Sequence, residues 1–247
     1  MTSLAFRVER HAALGSTNDL ARERAEAGEG EGLIIQADQQ TAGRGRRGRV
    51  WQSPVGNLYS SALLRPAVRP GAAAQLSFVA ALAVSDAVSA ALPPGAPIVT
   101  CKWPNDVLVG GEKIAGILLE SRSRPDGLVD WVIIGSGVNV GLLPPDPGQP
   151  ATSLTVHGAA GDVGAVLTLY ADALGLWYQR WREGGFAPIR AAWTARADGI
   201  GRRIRVRLPD REMHGVFAAL DQDGTLMLRT DDGAMVPVAA GDVFRED

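Results

Sequence analysis

The pattern of hydrophobic and polar positions predicts strands and helices that alternate as far as residue 197. Apolar runs of strand length indicate extended segments, and apolar positions repeated at helical spacing indicate amphipathic helices. The predicted strands cover 6–10, 31–38, 57–64, 98–103 and 126–140, the last as one long strand or a pair, with a hairpin at 106–121 that turns at Gly110 and Gly111. The predicted helices cover 16–28, 71–92, 163–185 and 186–197, and 141–160 is predicted to be a loop rich in proline and glycine.

The helix predicted at 16–28 has a recognisable start and stop. Ser16 or Thr17 offers a side-chain oxygen that can act as the N-cap, and the region of Gly28 ends the helix. The helix predicted at 71–92 is stopped by the sequence PPGAP that follows it.

The pattern changes after about residue 197. Short apolar segments at 202–208, 212–220, 224–230 and 234–240 are separated by turns rich in aspartate and glycine. Regular short strands with such turns are typical of a small antiparallel barrel or sandwich. We therefore predict two domains, one over 1–197 and one over 198–247.

The composition is that of an ordinary globular protein, with 247 residues, 46% hydrophobic residues and a formal net charge of -2. This balance argues against a general nucleic-acid binder, whose surface is usually basic. The single cysteine, Cys101, rules out an internal disulfide, and His11, His157 and His214 lack metal-ligand spacing. The sequence shows no signal peptide and no apolar run near membrane-spanning length, so we expect a soluble cytoplasmic protein.

Positive charge is concentrated in the segment TAGRGRRGRVW at 41–51. Its glycine spacing matches the dinucleotide-binding and kinase patterns, but no helix follows directly and the other kinase motifs are missing. Glycines let backbone N–H groups approach an anion, and arginines bind carboxylate or phosphate oxygens through two donors. The segment therefore suits a ligand with several anionic oxygens, with Trp51 covering a ring. The alternative is a solvated basic loop with Trp51 in the core.

A second group of polar residues follows in KWPNDVL and KIAGILLE. If the two strands of the predicted hairpin pair, Lys102, Asp106 and Lys113 converge at one end of a sheet. Gly116 lies inside an apolar strand, which often marks close approach by a ligand or another backbone. Each lysine alone could be a solvated surface charge. Together with the arginine segment, they predict a site where an acid meets a nucleoside triphosphate.

Five motifs in this order resemble those of the biotin protein ligases: STN at 16–18, QTAGRGRRGRVW at 40–51, KWPNDVL at 102–108, KIAGILLE at 113–120 and GSGVNV at 135–140. The resemblance spans about residues 10–245, and GRGRRGR followed by KWPND and K-x-A-G is highly specific. It implies an α+β fold: a mixed β-sheet flanked by helices, as in class II aminoacyl-tRNA synthetase cores, and then a small SH3-like β-barrel.

The resemblance also implies a two-step reaction. Biotin and ATP, with Mg²⁺, would form biotinyl-5′-adenylate and pyrophosphate, and biotin would then pass to one lysine of a biotin carboxyl carrier domain, such as that of acetyl-CoA carboxylase. The implied catalytic residues are Lys113, Arg46, Arg44 and Asp106. The implied biotin-binding residues are Ser16, Thr17, Asn18, Gln40, Arg44, Gly45, Arg46, Lys113 and Gly116, and the implied nucleotide-binding residues are Arg46, Arg49, Trp51, Lys102, Asn105, Lys113 and Asn139.

The resemblance assigns roles to several of these residues. Lys113 would be the central cation between the biotin carboxylate and the α-phosphate, and Trp51 would close over the nucleotide as the arginine segment becomes ordered. Asp106 would either bind Mg²⁺ or steer the incoming amine, and the metal ligands are otherwise unknown. Asn139 would contact adenine or ribose, its alternative being a simple turn residue.

Two other functions stay open at the level of sequence. A lipoate–protein ligase shares the fold and the adenylation chemistry but lacks this arginine–glycine string, and a non-catalytic module could bind nucleic acid through the basic segment. Because STN begins at residue 16, we expect no N-terminal helix-turn-helix domain, no nucleic-acid partner and no membrane partner. Members of the family occur as monomers and dimers, so a homodimer is possible.

Overall fold

The computed structural model describes residues 4–143 and 149–246. The first seven strands are β1 Arg7–Leu14, β2 Leu33–Gln40, β3 Leu58–Leu64, β4 Val99–Lys102, β5 Asp106–Val109, β6 Glu112–Ser123 and β7 Val129–Val138. They form one sheet in the order β1-β2-β3-β7-β6-β5-β4. β1 and β2 are parallel and the other neighbours are antiparallel, so the predicted mixed sheet is confirmed.

Helices cover both faces of this sheet. The helices are α1 Thr17–Glu26, α2 Pro70–Ala74, α3 Leu76–Ala91, α4 Val163–Gly184 and α5 Phe186–Thr194. Side chains alternate between the faces of a strand: in β2, Leu33 and Ile35 pack with Ala21 of α1, whereas Ile34 belongs to the larger core built with α3 and α4.

The C-terminal module is a five-stranded antiparallel sheet in the order β11-β10-β9-β8-β12. Its strands are β8 Arg203–Arg207, β9 Glu212–Leu220, β10 Leu226–Arg229, β11 Met235–Val238 and β12 Asp242–Arg245. The small β module is thus confirmed, and β12 is a strand that the sequence pattern did not predict. In the described part of the chain β11 and β12 do not pair, so the sheet stays open between them.

One hydrophobic core runs through both parts of the protein. Ile204, Val206 and Phe217 of the C-terminal sheet belong to the same buried cluster as the helices α3, α4 and α5. The buried indole of Trp103, next to β4, donates a hydrogen bond of 3.1 Å to the carbonyl oxygen of Gly224. The two parts therefore share one buried core.

The predicted elements differ from the observed ones at a few places. The hairpin turns at Gly110 and Gly111 as predicted, and residues 126–140 contain one strand, β7. The helix predicted at 71–92 is divided at Gln75 into α2 and α3, and a 3₁₀ turn, Thr155–His157, lies in the predicted loop at 141–160, of which 144–148 fall outside the described residues. The stretch Pro70–Ala91 is long and apolar enough to cross a membrane, which corrects the expectation from sequence, but most of it is buried and it forms part of the core.

Candidate active site

One cavity brings together almost every residue of the predicted site. It lies over β6 and β7, beside the start of α1 and under the arginine–glycine segment, which we call the arginine loop (residues 41–52). Fourteen of the fifteen predicted residues line it: Ser16, Thr17, Asn18, Gln40, Arg44, Gly45, Arg46, Arg49, Trp51, Asn105, Asp106, Lys113, Gly116 and Asn139. Lys102 is the exception.

A β-bulge directs Lys113 towards this cavity. In the β5–β6 ladder Leu108 pairs with Lys113 but Val107 pairs with Ala115, so Ile114 is an extra residue on β6. Such bulges redirect side chains and are common next to active sites. The backbone of Lys113 is held from the other side as well. Its N–H donates to the carbonyl of Pro150 at 3.0 Å, and its carbonyl accepts from the N–H of Thr152 at 2.9 Å.

Lys113 and Asp106 form an ion pair across the hairpin. The Nζ of Lys113 lies 2.7 Å from Oδ1 of Asp106, and the two side chains are 17% and 14% exposed. This oxygen has no aligned hydrogen-bond donor among the described residues, so the contact is mainly electrostatic. The ammonium also lies 5.3 Å from the ring centroid of Trp51. The pair thus places one compact cation in the wall of the cavity with its counter-charge beside it.

Both lysines of the chain belong to the predicted site, although only Lys113 lines the cavity. The sequence contains only two lysines, Lys102 and Lys113, against a total of 25 basic residues. Lysine presents a compact, rotatable ammonium, whereas arginine presents a rigid planar fork. Both lysines belong to the predicted site, in a protein that uses arginine at every other basic position.

A buried polar network forms one end of the cavity. The backbone N–H and the hydroxyl of Thr17 donate to Oε1 of Gln40 at 2.8 and 3.1 Å, and Nε2 of Gln40 donates to Ser53 at 3.0 Å. The hydroxyl of Ser61 lies 2.8 Å from Oγ1 of Thr17 and 2.5 Å from Oδ1 of Asn18. The buried Nδ2 of Asn18 has no partner within the described ranges. This end of the cavity offers fixed donors and acceptors to a polar ring.

Ser16 is the N-cap residue of α1, but its side chain makes no capping hydrogen bond. The prediction of its position is confirmed, and the predicted capping bond is absent. Ser16 is buried and lines the cavity instead. Its hydroxyl is therefore available to a ligand rather than to the helix.

Arg44 is bound by two carboxylates. Its NH1 donates to Asp19 at 2.7 Å and its NH2 donates to Glu120 at 3.2 Å. The hydrogen bond with Asp19 raises the pKa of Arg44 and, in turn, lowers the pKa of Asp19 despite partial burial. Arg44 therefore ties the arginine loop to α1 and to β6.

Arg46 reaches deeper than the other arginines of the loop. Its NH1 donates to Oδ1 of Asn105 at 2.9 Å, and Asn105 is fixed by its own hydrogen bond to the carbonyl of Ile117 at 2.8 Å. Burial lowers the pKa of Arg46, although Asp242 and Asp106 act in the opposite sense. Arg46 has no carboxylate within salt-bridge distance in the described part of the chain, so its charge is the least compensated in the loop.

Arg47 and Arg49 reach the C-terminal module. Arg49 NH2 donates to both carboxylate oxygens of Asp242 at 2.6 and 2.7 Å, and NH1 of Arg47 lies 3.5 Å from the same group. Burial raises the pKa of Asp242, but the hydrogen bond and the charges of the arginines outweigh it and lower that pKa overall.

Trp51 lies on a surface made of glycine. Gly116 and Gly137 are opposite each other in the β6–β7 ladder, and a Cβ atom at either position would come within 3.0 Å of the indole. Gly116 was predicted to mark a close approach by a ligand or another backbone, and in the structure the group that approaches it is the indole of Trp51. The buried Nε1 of the indole has no partner among the described residues.

Of two residues predicted to contact the nucleotide, Asn139 lines the cavity and Lys102 does not. Asn139 is buried, lines the cavity and donates from Nδ2 to the carbonyl of Thr152 at 3.0 Å, which leaves its side-chain oxygen free to accept. Lys102 does not line the cavity. Its Nζ lies 5.6 Å from the ring centroid of Phe244, and burial lowers its pKa.

Several residues that complete the site were not identified from the sequence. They are the partners of the predicted residues: Asp19, Glu120, Ser61, Gly137 and Asp242. Asp19 directly follows the STN motif and Glu120 ends KIAGILLE, so the motifs themselves could have pointed to both residues. Asp242 is 193 residues from Arg49, and no local pattern connects them.

The described residues contain no cluster of three histidine, cysteine or acidic side chains that could hold a metal ion. The two carboxylates nearest the centre of the cavity, Asp106 and Asp242, are already paired with Lys113 and with arginines. The protein side chains alone therefore do not fit a resident metal site.

Comparisons with known proteins agree with this arrangement. The model of the Biotin/lipoate A/B protein ligase family matches residues 13–139, and the model of the Biotin protein ligase C terminal domain matches residues 199–245. A biotin–[acetyl-CoA-carboxylase] ligase of Paracoccus denitrificans is 43% identical over 93% of this chain and 96% of its own length. The bifunctional ligase/repressor BirA of Bacillus subtilis (strain 168) is 38% identical over 90% of this chain and 69% of its own length.

The fold comparison gives the same result. The solved structure of the biotin protein ligase from Aquifex aeolicus in complex with biotin and ATP matches with a TM-score of 0.82 and 26% identity, over 97% of this chain and 99% of that one. The chain therefore belongs to the biotin/lipoate A/B protein ligase family, and within that family to the biotin protein ligases.

Proposed function

We propose that this protein is a biotin protein ligase. In the first step the biotin carboxylate attacks the α-phosphorus of ATP, which forms biotinyl-5′-adenylate and releases pyrophosphate. In the second step the amine of a carrier lysine attacks the activated carboxyl carbon, an amide forms, AMP leaves and the amine loses a proton. The observation that carries the proposal is the convergence of Lys113 and Arg46 with the Thr17–Gln40 network in one cavity.

The position of Lys113 supports its proposed role in the first step. Two anions must come together, and a cation between them removes their repulsion and stabilises charge as it develops. The ion pair with Asp106 and the two backbone hydrogen bonds hold Lys113 in place. This ion pair favours a role for Asp106 in positioning Lys113. From the same position Asp106 would also be able to steer the incoming amine.

The polar end of the cavity is proposed to bind the ureido ring of biotin. Thr17, Gln40 and Ser16 are fixed by α1 and β2, and the unpartnered Nδ2 of Asn18 is a donor in need of an acceptor. Buried polar groups of this kind orient a ligand, since leaving them unpaired is costly. Gly45 and Gly116 would let the ligand approach the backbone closely.

The arginines of the loop are proposed to have separate tasks. Arg46, with its largely uncompensated charge, would contact the phosphates, and Arg49 and Lys102 would assist it. Arg44, which was predicted as a catalytic and biotin-binding residue, already has two carboxylate partners, so its proposed role is to fix the loop beside the biotin pocket. Trp51 and Asn139 would contact the nucleotide, and closure of the loop would keep water from the adenylate.

Mg²⁺ is proposed to arrive with ATP. Because the carboxylates of the cavity are paired with cations, phosphate oxygens and water molecules would have to provide most of its ligands. We assign no step of the reaction to a metal-bound group.

The acceptor is proposed to be a biotin carboxyl carrier domain of acetyl-CoA carboxylase or a related carboxylase, in the cytoplasm. The domain division at 1–197 and 198–247 also stays a proposal, as does a homodimer. No nucleic-acid or membrane role is proposed, because the loop arginines have protein partners and Pro70–Ala91 lies in the core.

The proposed function is tested by mixing the protein with Mg-ATP, a carrier domain and either biotin or lipoate, and measuring the mass of the carrier. We expect the mass to rise by one biotinyl group with biotin only. A gain with lipoate instead would identify a lipoate ligase, and no gain with either acid, accompanied by salt-sensitive binding of DNA or RNA, would favour the nucleic-acid module.

A further inference from the structure

Asp242 is the point at which the C-terminal module touches the cavity. It opens β12, and it is the one residue of the module, within the described ranges, that lines the cavity. Its side chain is 18% exposed and is in contact with Arg49 and Arg47 of the arginine loop, with Arg207 of β8 a further 3.8 Å contact. A single carboxylate of the module thus neutralises cations of a loop whose Arg49 stands 193 residues earlier in the chain.

The backbone of the arginine loop needs such a contact. Arg47 has φ of 57° and ψ of 35°, which is the left-handed region, unfavourable for a residue with a β-carbon. A strained conformation of this kind persists only when surrounding contacts hold it. The backbone of this turn is held by hydrogen bonds from the Gly45 N–H to the carbonyl of Arg49 at 2.7 Å and from the Arg49 N–H to the carbonyl of Arg46 at 3.2 Å. The ion pairs with Asp242 hold the side chains of Arg47 and Arg49 in addition.

The pairing leaves most of the donors of Arg49 unused. Asp242 takes one terminal nitrogen, NH2, and the side chain of Arg49 is 55% exposed. A guanidinium carries five N–H donors in a fixed fork. Asp242 therefore orients the guanidinium of Arg49 over the cavity and leaves its Nε and NH1 donors for an anion.

We propose that Asp242 is a positioning residue that holds the arginine loop closed over the cavity, so that the C-terminal module controls how long the adenylate is retained. This inference rests on the proposed function for the identity of the ligand. In the closed loop the Asp242 carboxylate supplies an anion for Arg47 and Arg49. Loosening this contact opens the loop and lets the adenylate escape before the carrier arrives.

The first test needs no substrate and uses limited digestion of the full chain by trypsin, which cuts after arginine. Fragments cut after Arg44, Arg46, Arg47 or Arg49 are counted by mass spectrometry in low salt. Asp242→Asn keeps the shape of the side chain and removes its charge, and we expect it to accelerate cleavage in the loop about tenfold. Asp242→Glu should restore much of the protection.

The control is Asp231→Asn. Asp231 makes an equally short pair with Arg203, at 2.6 and 2.8 Å, on the surface of the same module. This variant should leave cleavage of the loop unchanged. Raising the salt concentration should accelerate cleavage in the wild type towards the rate of Asp242→Asn and have little effect on that variant. If Asp242→Asn fails to fold, Arg49→Gln removes the other half of the contact and should expose the remaining sites in the same way.

The second test measures how fast preformed biotinyl-5′-adenylate leaves the protein, which we expect to be about tenfold faster in Asp242→Asn than in the wild type or in Asp231→Asn. If the wild type forms no adenylate, the proposed function fails, and the digestion still decides whether Asp242 holds the loop. If the wild type forms adenylate and the Asp242 variants protect the loop and retain the adenylate normally, the proposed function stands and the role of Asp242 is wrong.

Discussion

Gly116 and Gly137 face each other across β6 and β7, and together they form the flat backbone surface on which the indole of Trp51 lies. A Cβ built on Gly137 would lie 2.5 Å from Nε1 of Trp51, and one built on Gly116 would lie 2.9 Å from Cζ3 of the same ring. Neither glycine has a left-handed backbone, so space and not conformation demands glycine here. The pair therefore sets the height at which Trp51 sits in the cavity.

Gly137→Ala should displace the indole, because a rigid ring cannot give way by a few tenths of an ångström as a flexible chain can. We expect the free energy of unfolding to fall by about 1–3 kcal/mol, and the KM for ATP in biotin-dependent pyrophosphate exchange to rise about tenfold or more. Both are measured on the purified variant, by denaturant unfolding and by exchange of labelled pyrophosphate.

Two further variants separate the effect on Trp51 from a general effect of alanine. Gly30→Ala adds a methyl group where no atom lies within 4 Å, and it should change neither quantity. Trp51→Ala should remove most of the destabilisation caused by Gly137→Ala, because the new methyl then meets open space. Additive losses of stability in the double variant would contradict the contact.

Lys113→Ala should abolish adenylate formation while the protein stays folded. Removing a preorganised charge of this kind reduces turnover by at least about 100-fold, and Asp106 then keeps an unpaired partly buried charge, which should also lower stability. Asp106→Asn should cost less, about tenfold in exchange, because it leaves the cation in place and removes only its partner. An exchange rate of Lys113→Ala close to that of the wild type would exclude Lys113 from the chemistry.

Lys102→Met tests a cation that burial disfavours. Burial lowers the pKa of Lys102 below its ordinary value of 10.5. The unfolded chain therefore keeps this proton over a pH range in which the folded chain has lost it, and the contribution of Lys102 to stability rises with pH through that range. We expect Lys102→Met to be at least as stable as the wild type at neutral pH, and to raise the KM for ATP about tenfold.

The control for this experiment is Arg122→Met. Arg122 lies on β6 away from the cavity, is 61% exposed, and contacts Glu26 at 3.6 Å. Its substitution should alter neither the KM for ATP nor the pH dependence of unfolding. A loss of stability in Lys102→Met would mean that Lys102 is a structural cation and not one retained for phosphate binding.

Much of this architecture was accessible from local sequence patterns. The hairpin around Gly110 and Gly111 followed from a two-residue glycine turn between apolar runs, and it correctly predicted that Lys113 and Asp106 meet. The first helix followed from its cap position and its glycine stop. These features depend on residues close together in the chain, where turn geometry and side-chain periodicity decide the outcome.

What the sequence could not provide depends on contacts between distant segments. The pairing of Arg49 with Asp242 and of Arg44 with Glu120 depends on where separate elements pack, and a charged residue alone does not reveal its partner. A capping hydrogen bond from Ser16 or Thr17 was expected from residue type. In the structure the N-cap residue is Ser16, and its side chain lines the cavity and makes no capping bond. β12 was missed because its four residues are too short and too mixed to show a period of two.

Arg46→Gly should make the protein release its adenylate. Arg46 is the loop arginine with no carboxylate partner in the described chain, and its hydrogen bond to Asn105 aims it at the position proposed for the phosphates. Without it, we expect biotinyl-5′-adenylate to dissociate at least about tenfold faster and to react with exposed amines in solution. The released reagent is detected as biotin on an added bystander protein rich in lysine, since this chain has only two lysines of its own.

A variant of Asn105, the hydrogen-bond partner of Arg46, tests the orientation of Arg46 separately from its charge. Asn105→Ala leaves the guanidinium in place but removes the group that orients it, so labelling of the bystander should rise to a level between those of the wild type and Arg46→Gly. Arg124→Gly, at the exposed end of β6, removes a comparable charge outside the site and should behave as the wild type. Retention of the adenylate by Arg46→Gly at the level of the wild type would show that closure depends on the other contacts of the loop.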